Sequence, residues 1–189
     1  MADHEQRLGL PILAFADRFA FERWLAAEPR RSPSIWVKLR KKGAPVTGLS
    51  KADAIDAALC HGWIDGQQHP YDESYWLTRF TTRRPASRWS QVNRQRAGEL
   101  IAAERMRPAG LAEIQAAQAD GRWDAAYAPA STAEPCAEFQ AALDASPEAA
   151  AAFHALRRSD RYAILHRINN LKTAKGRAKA ISDTVARLR

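Results

Sequence analysis

At 189 residues, with 46% hydrophobic and 26% charged residues, the chain has the size and balance of one globular domain, or of a domain with a small appendage, and not of a disordered protein. Two cysteines, Cys60 and Cys136, are too few for a disulfide framework, and no run reaches the roughly 18 continuous apolar residues of a spanning helix. The 29 Lys and Arg against 21 Asp and Glu leave a formal charge of +8, which points to anionic partners: nucleic acid, phosphorylated metabolites or an anionic surface.

The positive charge concentrates at 30–51, 79–107 and 157–189, while Glu113 to Glu148 is acidic with Arg122 as its one arginine. A basic protein with no such partner is the alternative. The start, MADHEQRLGLPILAFADRF, is acidic, and its apolar run is broken by Asp17 and Arg18, unlike a signal peptide. A soluble protein of the reducing cytoplasm, without membrane insertion, is expected.

In chain order, FADRFAFERWLAAEP predicts a short helix with Asp17 as N-cap, Phe21, Trp24 and Leu25 on one face, and Pro29 as its end. SIWVKLRKKG alternates, placing Ile35, Val37 and Leu39 on one side of a strand and Trp36, Lys38 and Arg40 on the other. SKADAIDAALCHG predicts a helix capped by Ser50, with Asp53 at its third position, Ile55, Ala58 and Leu59 inside, and Gly62 just past its end. WIDGQQ and SYWLTRFTT follow as two strands around the loop HPYDE.

A helix from Ser87 or Ser90 then carries Val92, Leu100 and Ile101 inward, with Gly98 its weak point. RPAGLAEIQAAQADGRW is a further helix, with Pro108 in its first turn and Gly121 at its end. APASTAEP has the composition of a linker. Helices alone follow: one starting at Ser146, one with Ile164, Leu165, Ile168 and Leu171 on a face, and one from Thr173 aligning Ala178, Ile181, Val185 and Leu188. The expected fold is α+β. A small antiparallel sheet of about three strands packs with helices over 1–127, a linker spans 128–135, and a helical segment covers 136–189.

The hairpin is the richest candidate surface. With a five-residue loop, odd-numbered residues of both strands share a face. Ile64, Trp76, Thr78 and Phe80 then point to the core. Trp63, Asp65, Gln67, Tyr75, Leu77 and Arg79 form the other face, where an acid, an amide and an arginine meet two aromatic platforms. Beyond it, Arg83, Arg84, Ser87, Arg88, Trp89, Ser90 and Asn93 enter a helix start, a setting for phosphate or carboxylate. The alternative leaves these arginines solvated and Trp89 packed as a staple.

Other chemistries find less support. Cys60, His61, Asp65 and His69 lack metal-ligand spacing, so no metal is expected. Cys60 with His61 or His69 is a weak nucleophile candidate, because a cysteine on an Ala/Leu-rich helix is usually a small buried apolar residue. His154 and His166 read as packing or surface residues of the tail. No glycine-rich phosphate loop, dinucleotide fingerprint or G-x-S-x-G is present, so no cofactor is expected. Lys172, Lys175 and Lys179 form a basic stripe on two closely joined helices, which admits a DNA-reading helix-turn-helix as a further alternative to a solvated face.

The strings ALCHGWIDGQ, RFTTRRPASRWSQVN and ERMRPAGL, in that order, resemble the bacteriocin-protection, YdeI/OmpD-associated family of small bacterial proteins. The resemblance runs from Trp36 to Trp123, and SDRYAILHRINNLKTAKGRAKAI is similar to the family's C-terminal helical segment. Thr82 stands where the family commonly has proline, and His61 where an aromatic is usual. The resemblance implies resistance to bacteriocins or cationic antimicrobial peptides and association with an outer-membrane porin. The absent export signal conflicts with the porin, and the positive charge opposes direct capture of a cationic peptide, so any protection is expected to be indirect.

The resulting expectation is non-catalytic binding of an anionic ligand, a small molecule or single-stranded nucleic acid. Trp63 and Tyr75 would stack, Asp65 and Gln67 would orient, and Arg79, Arg83 and Arg84 would neutralise charge. The alternative is a small enzyme using Asp65 with Cys60 or His61. It ranks second because an arginine beside a carboxylate lowers its pKa and weakens it as a base.

Overall fold

The computed structural model describes residues 5–27 and 34–189. Pro29, expected to end the first helix, lies outside them, as does Arg30. The described residues hold five strands and eight helices, and the chain divides into two units. The first takes the chain up to Trp89 and then Asn93–Ala125; the second takes Ser90–Val92 and Ala126–Arg189. Among the described residues no helix is long and apolar enough to cross a membrane.

The fold class is α+β, but the sheet has five strands where about three were expected. Strands β1 (Gln6–Arg7), β2 (Leu10–Ala14), β3 (Ser34–Arg40), β4 (Trp63–Pro70) and β5 (Tyr75–Thr82) lie in the order β1-β2-β3-β5-β4. The additional pair, β1 and β2, forms a hairpin in which Arg7 pairs with Leu10. Leu8 and Gly9 turn the chain with positive φ of 52° and 72°, the geometry two-residue hairpins need. The sheet is also mixed, because β2 runs parallel to β3. A parallel neighbour requires a crossover, and helix α1 (Arg18–Ala27) lies in that connection.

Local signals set the helix starts. Asp17 accepts the Ala20 N–H at 2.8 Å ahead of α1. Ser50 caps α2 (Lys51–Cys60) by accepting the Asp53 N–H, and its hydroxyl donates to the Asp53 carboxylate at 2.7 Å. Gly62 follows with φ of 75°. One sheet face carries Ile35, Val37, Leu39, Trp63 and Phe80, which form the main core with Phe21, Leu25, Ala54, Ala57 and Ala58 of the helices. On the other face Trp36 and Leu77 cluster with Ile12, so β5 buries side chains on both sides.

Helix α3 (Gln91–Ala102) buries Ala97 and Leu100, whereas Val92 and Ile101, expected inside, are exposed. At about 100° per residue they fall to opposite sides of Leu100, off the stripe that Leu100 shares with Ala97. A Cβ built on Gly98, in the middle of α3, meets nothing within 4 Å. Gly98→Ala should therefore stabilise the protein by about 0.5–1 kcal/mol, the usual cost of glycine in an open helix interior. Unchanged or lower stability in urea titration would contradict that.

Helix α4 (Pro108–Ala119) starts at Pro108, and Gly121 follows it with φ of 79°. In the second unit, α5 (Ala137–Asp144), α6 (Pro147–Ala155), α7 (Arg158–Asn169) and α8 (Ala174–Leu188) enclose Phe139, Leu143, Phe153, Leu165, Ile168, Ala180 and Ile181. Thr173 caps α8 by accepting the Gly176 N–H. Its inner stripe uses Ala180 and Thr184 beside Ile181, not Ala178, which is exposed.

Candidate functional site

The register of the hairpin decides where the expected site residues fall. Near the turn, Pro70 pairs with Trp76 and His69 with Leu77, but a bulge between Asp65 and Gln68 shifts the pairing. Past the bulge Asp65 pairs with Phe80 and Trp63 with Thr82. Since paired residues share a face, Trp63 and Asp65 lie on the Phe80 side, while Tyr75, Leu77 and Arg79 occupy the other. The structure does not bring these five together.

Trp63 is buried in the main core, edge-on to Trp24 at 5.7 Å. Asp65 is half-buried and Gln67 is exposed beside the bulge. The Tyr75 hydroxyl donates to the Thr47 carbonyl at 2.9 Å, and Arg79 Nε donates to Ser34 Oγ at 2.8 Å. Trp76, expected in the core, is 42% exposed beneath the Lys41 ammonium.

Farther along, Arg83 is buried, with its guanidinium 3.6 Å from the Trp89 ring and one N–H donating to the Arg88 carbonyl. Trp89 is edge-on to Trp123 at 4.8 Å, and Arg94 lies 5.3 Å over that second ring. Arg83 and Trp89 thus belong to a packed cation–aromatic stack. The exposed Arg84 lies outside it, its N–H donating to Ser87 Oγ, while Ser90 is buried and Asn93 half-buried at the start of α3.

A different constellation joins α1, α2, α3 and the turn before α4. Asp56 is only 6% exposed. Arg96 of α3 grips both its oxygens, with Nε donating to Oδ1 at 2.6 Å and Nη2 to Oδ2, and Arg105 adds a bond at 3.2 Å. Burial alone would raise the Asp56 carboxyl, but the hydrogen bonds and charge of Arg96 and the charge of Arg105 outweigh it and hold it below the usual range. Arg105 also approaches Glu22 at 3.8 Å, and Arg18 reaches the same carboxylate at 3.4 Å. The negative charge of Glu22 is thereby compensated.

In front of this network opens a cleft of about 670 Å³. Phe19, Leu25 and Ala26 of α1 and Pro108 and Ala109 of α4 give it apolar walls, while Arg23, Arg107, His61 and Glu22 supply its polar groups. Phe19 is 57% exposed at the site, a large aromatic left open to solvent. Arg107 is the extended residue before α4, and its N–H donates to the Cys60 carbonyl at 3.1 Å. Among the described residues neither Arg23 nor Arg107 pairs with a carboxylate.

His61 closes α2 and lines the cleft. Burial lowers its pKa and Arg107 lowers it further, against the opposing pull of Glu22, so the imidazole is neutral near pH 7. Cys60 is buried, and burial pushes its thiol up more than the charge of Arg105 brings it down. A thiol kept protonated in this way is a poor nucleophile. Among the described residues no group of three or more His, Cys, Asp or Glu side chains converges to hold a metal ion.

Asp56, Arg96, Arg105, Arg107 and Arg23 were not singled out from the sequence. One signal was available: an acid within an Ala/Leu-rich helix, in a chain with an excess of arginine, needs a cationic partner wherever that helix is buried.

Comparison with known families is consistent with this two-part organisation. Residues 132–189 match the family described as bacteriocin-protection, YdeI or OmpD-associated. That is the family the sequence resembles, and the matched stretch is the helical tail. Residues 13–113, which include strands β3, β4 and β5 and the residues lining the cleft, match a domain of unknown function, DUF8412. No curated protein and no solved structure matches the chain significantly. Because the DUF8412 match spans more than half of its 189 residues, the chain belongs to the DUF8412 family.

Proposed function

We propose that the protein is a non-catalytic binding protein for a small organic anion, seated in the cleft between α1, the end of α2 and the start of α4. The observation that carries this reading is an apolar cleft of ligand size holding two arginines without carboxylate partners among the described residues. With Glu22 held by Arg18 and Arg105, Arg23 and Arg107 leave a net positive potential, and low-dielectric walls strengthen it. The apolar walls favour a ligand with a hydrophobic body and one carboxylate over a densely charged phosphate ester. Catalysis is less favoured because Cys60 is held as a buried thiol.

This placement moves the anion site from the hairpin face, whose members the bulge separates. In the reading proposed here the protein acts in the cytoplasm, and any role in bacteriocin resistance is indirect. A chain of charge +8 repels a cationic peptide, so protection would pass through the bound ligand.

Calorimetric titration with hexanoate, 3-phenylpropanoate, inorganic phosphate and a thymidine oligonucleotide tests the proposal. The two carboxylates are expected to bind, and Arg107→Gln should weaken them at least tenfold, as loss of a charge-assisted hydrogen bond does. Arg79→Gln, on the sheet, should leave them unchanged. Tighter binding of the oligonucleotide with a steep salt dependence, or an unaltered affinity in Arg107→Gln, would reject the cleft as the site.

A further inference from the structure

The helical unit has a recess of its own, about 470 Å³, between residues 130–135, the end of α6 and one face of α7. Its apolar lining includes Phe153 and Leu165, which are 2% and 5% exposed and belong to the core of this unit. Arg158, Arg161 and Tyr162 of α7 line it from one side and Glu134 from the segment before α5. The spacing of Arg158 and Arg161 puts both guanidiniums on one helix face.

Each of these arginines is fixed by a backbone carbonyl and not by an acid. Arg158 Nε donates to the Ala130 carbonyl at 3.3 Å, and Arg161 Nη1 to the His154 carbonyl at 3.4 Å. The neighbouring acid, Asp160, is taken by Arg157 at 2.9 Å. Both guanidiniums therefore keep their charge uncompensated among the described residues, with N–H groups to spare. Tyr162 is held in place in the same way, its hydroxyl donating to the Ala128 carbonyl at 3.1 Å. Holding donors in position before binding reduces the ordering cost of capturing a carboxylate.

Glu134 brings a negative charge to the same recess. Its carboxylate has no partner among the described residues, and its backbone carbonyl is held by Asn169 Nδ2 at 2.8 Å. A plain anion drawn in by the two arginines meets repulsion from Glu134, whereas a ligand that also carries an ammonium group satisfies both signs of charge. We infer that this recess is a second ligand site, specific for a zwitterion with an apolar side chain: a free α-amino acid whose carboxylate lies on Arg158 and Arg161, whose ammonium faces Glu134, and whose side chain lies against the partly exposed Ala133 and Pro135. The site stands on the helical unit alone and is independent of the anion cleft.

The full-length Arg107→Gln protein, in which the cleft's carboxylate donor is removed, is titrated with L-phenylalanine while the amide resonances of Ser131 and Tyr162 are followed by NMR. The comparison ligands are N-acetyl-L-phenylalanine, which keeps only the carboxylate as a peptide C-terminus does, and L-phenylalaninamide, which keeps only the ammonium as a peptide N-terminus does. L-Phenylalanine should shift these resonances saturably and bind at least tenfold more tightly than either half-charged analogue. Arg161→Gln should abolish the shifts, and Glu134→Gln should remove the preference over the N-acetyl compound. Absent saturation, equal binding of all three ligands, or titrations unaltered in Arg161→Gln would overturn the inference. Tighter binding of one analogue would overturn it as well, assigning the recess to that peptide end instead.

Discussion

Replacing Asp56 by alanine should lower stability by about 3 kcal/mol, near the lower end of the cost of breaking a buried ion pair because Arg96 is partly exposed. For a chain of this size that is a fall in Tm of roughly 9 °C. The physical cause is not the loss of one contact. Arg96 spends two N–H groups on Asp56, Arg105 spends a third, and Arg105 sits between Asp56 and Glu22. Removing the carboxylate leaves two guanidiniums without the counter-charge they share. Urea unfolding of Asp56→Ala, Arg96→Ala and the double variant measures the coupling, expected above about 1 kcal/mol for charges in direct contact. A change below about 0.5 kcal/mol in Asp56→Ala would mean that solvent replaces the carboxylate without cost.

The same pair predicts a pH dependence with a definite sign. The folded protein holds Asp56 below its ordinary value of 3.8, so the unfolded chain takes up the proton first as pH falls. The stabilisation is fully present above the ordinary carboxylate range and is lost as pH drops below about 4 through the folded value. The gap between wild type and Asp56→Ala should therefore be constant at neutral pH and narrow in acid. A gap that widened in acid would contradict the assignment.

Gly110→Ala should be comparably damaging, at about 3 kcal/mol, the upper range for overpacking. A Cβ at Gly110 would overlap the carbonyl oxygen of Cys60 and stand 2.7 Å from that of Leu59 and 2.8 Å from Met106 Cε. The methionine can move aside, but the two carbonyls are backbone at the end of α2 and can yield only if α4 slides. Because Arg107, Pro108 and Ala109 lie on the same turn and line the cleft, such a slide should also weaken binding there. The contrast with Gly98, where an added Cβ meets open space, separates steric cost from helix propensity. Equal effects of the two substitutions would sink the close-packing account.

Much of the helical framework was legible because its causes are local. Asp17, Ser50 and Thr173 each cap a helix through an amide three residues away, and Pro108 and Gly62 mark a start and a stop by their own backbone restrictions. Alternation in β3 sorted Ile35, Val37 and Leu39 from Trp36 and Lys38, because the strand pairs with β5 without a register shift and its two faces meet different clusters. The β1–β2 hairpin was missed because Leu8–Gly9 lacks the usual Asn-Gly signature and Pro11 disguises a strand. The hairpin face was misread for one reason: a bulge adds a residue to one strand, and every side chain beyond it changes sides.

The sequence by itself determined the α+β class, the boundaries of the capped helices, the basic charge and the resemblance of the tail, since each depends on residues within a few positions or on composition. The tertiary structure alone decided which arginines are structural and which are available. Arg96 meets Asp56 across 40 positions of chain, Arg79 meets Ser34 across 45, and Arg83 covers a tryptophan ring, whereas Arg107 and Arg23, beside an apolar cleft, meet no carboxylate among the described residues. A guanidinium has the same charge wherever it lies in the sequence. Only the distance to the nearest carboxylate in the folded chain determines whether that charge is neutralised or left to attract a ligand.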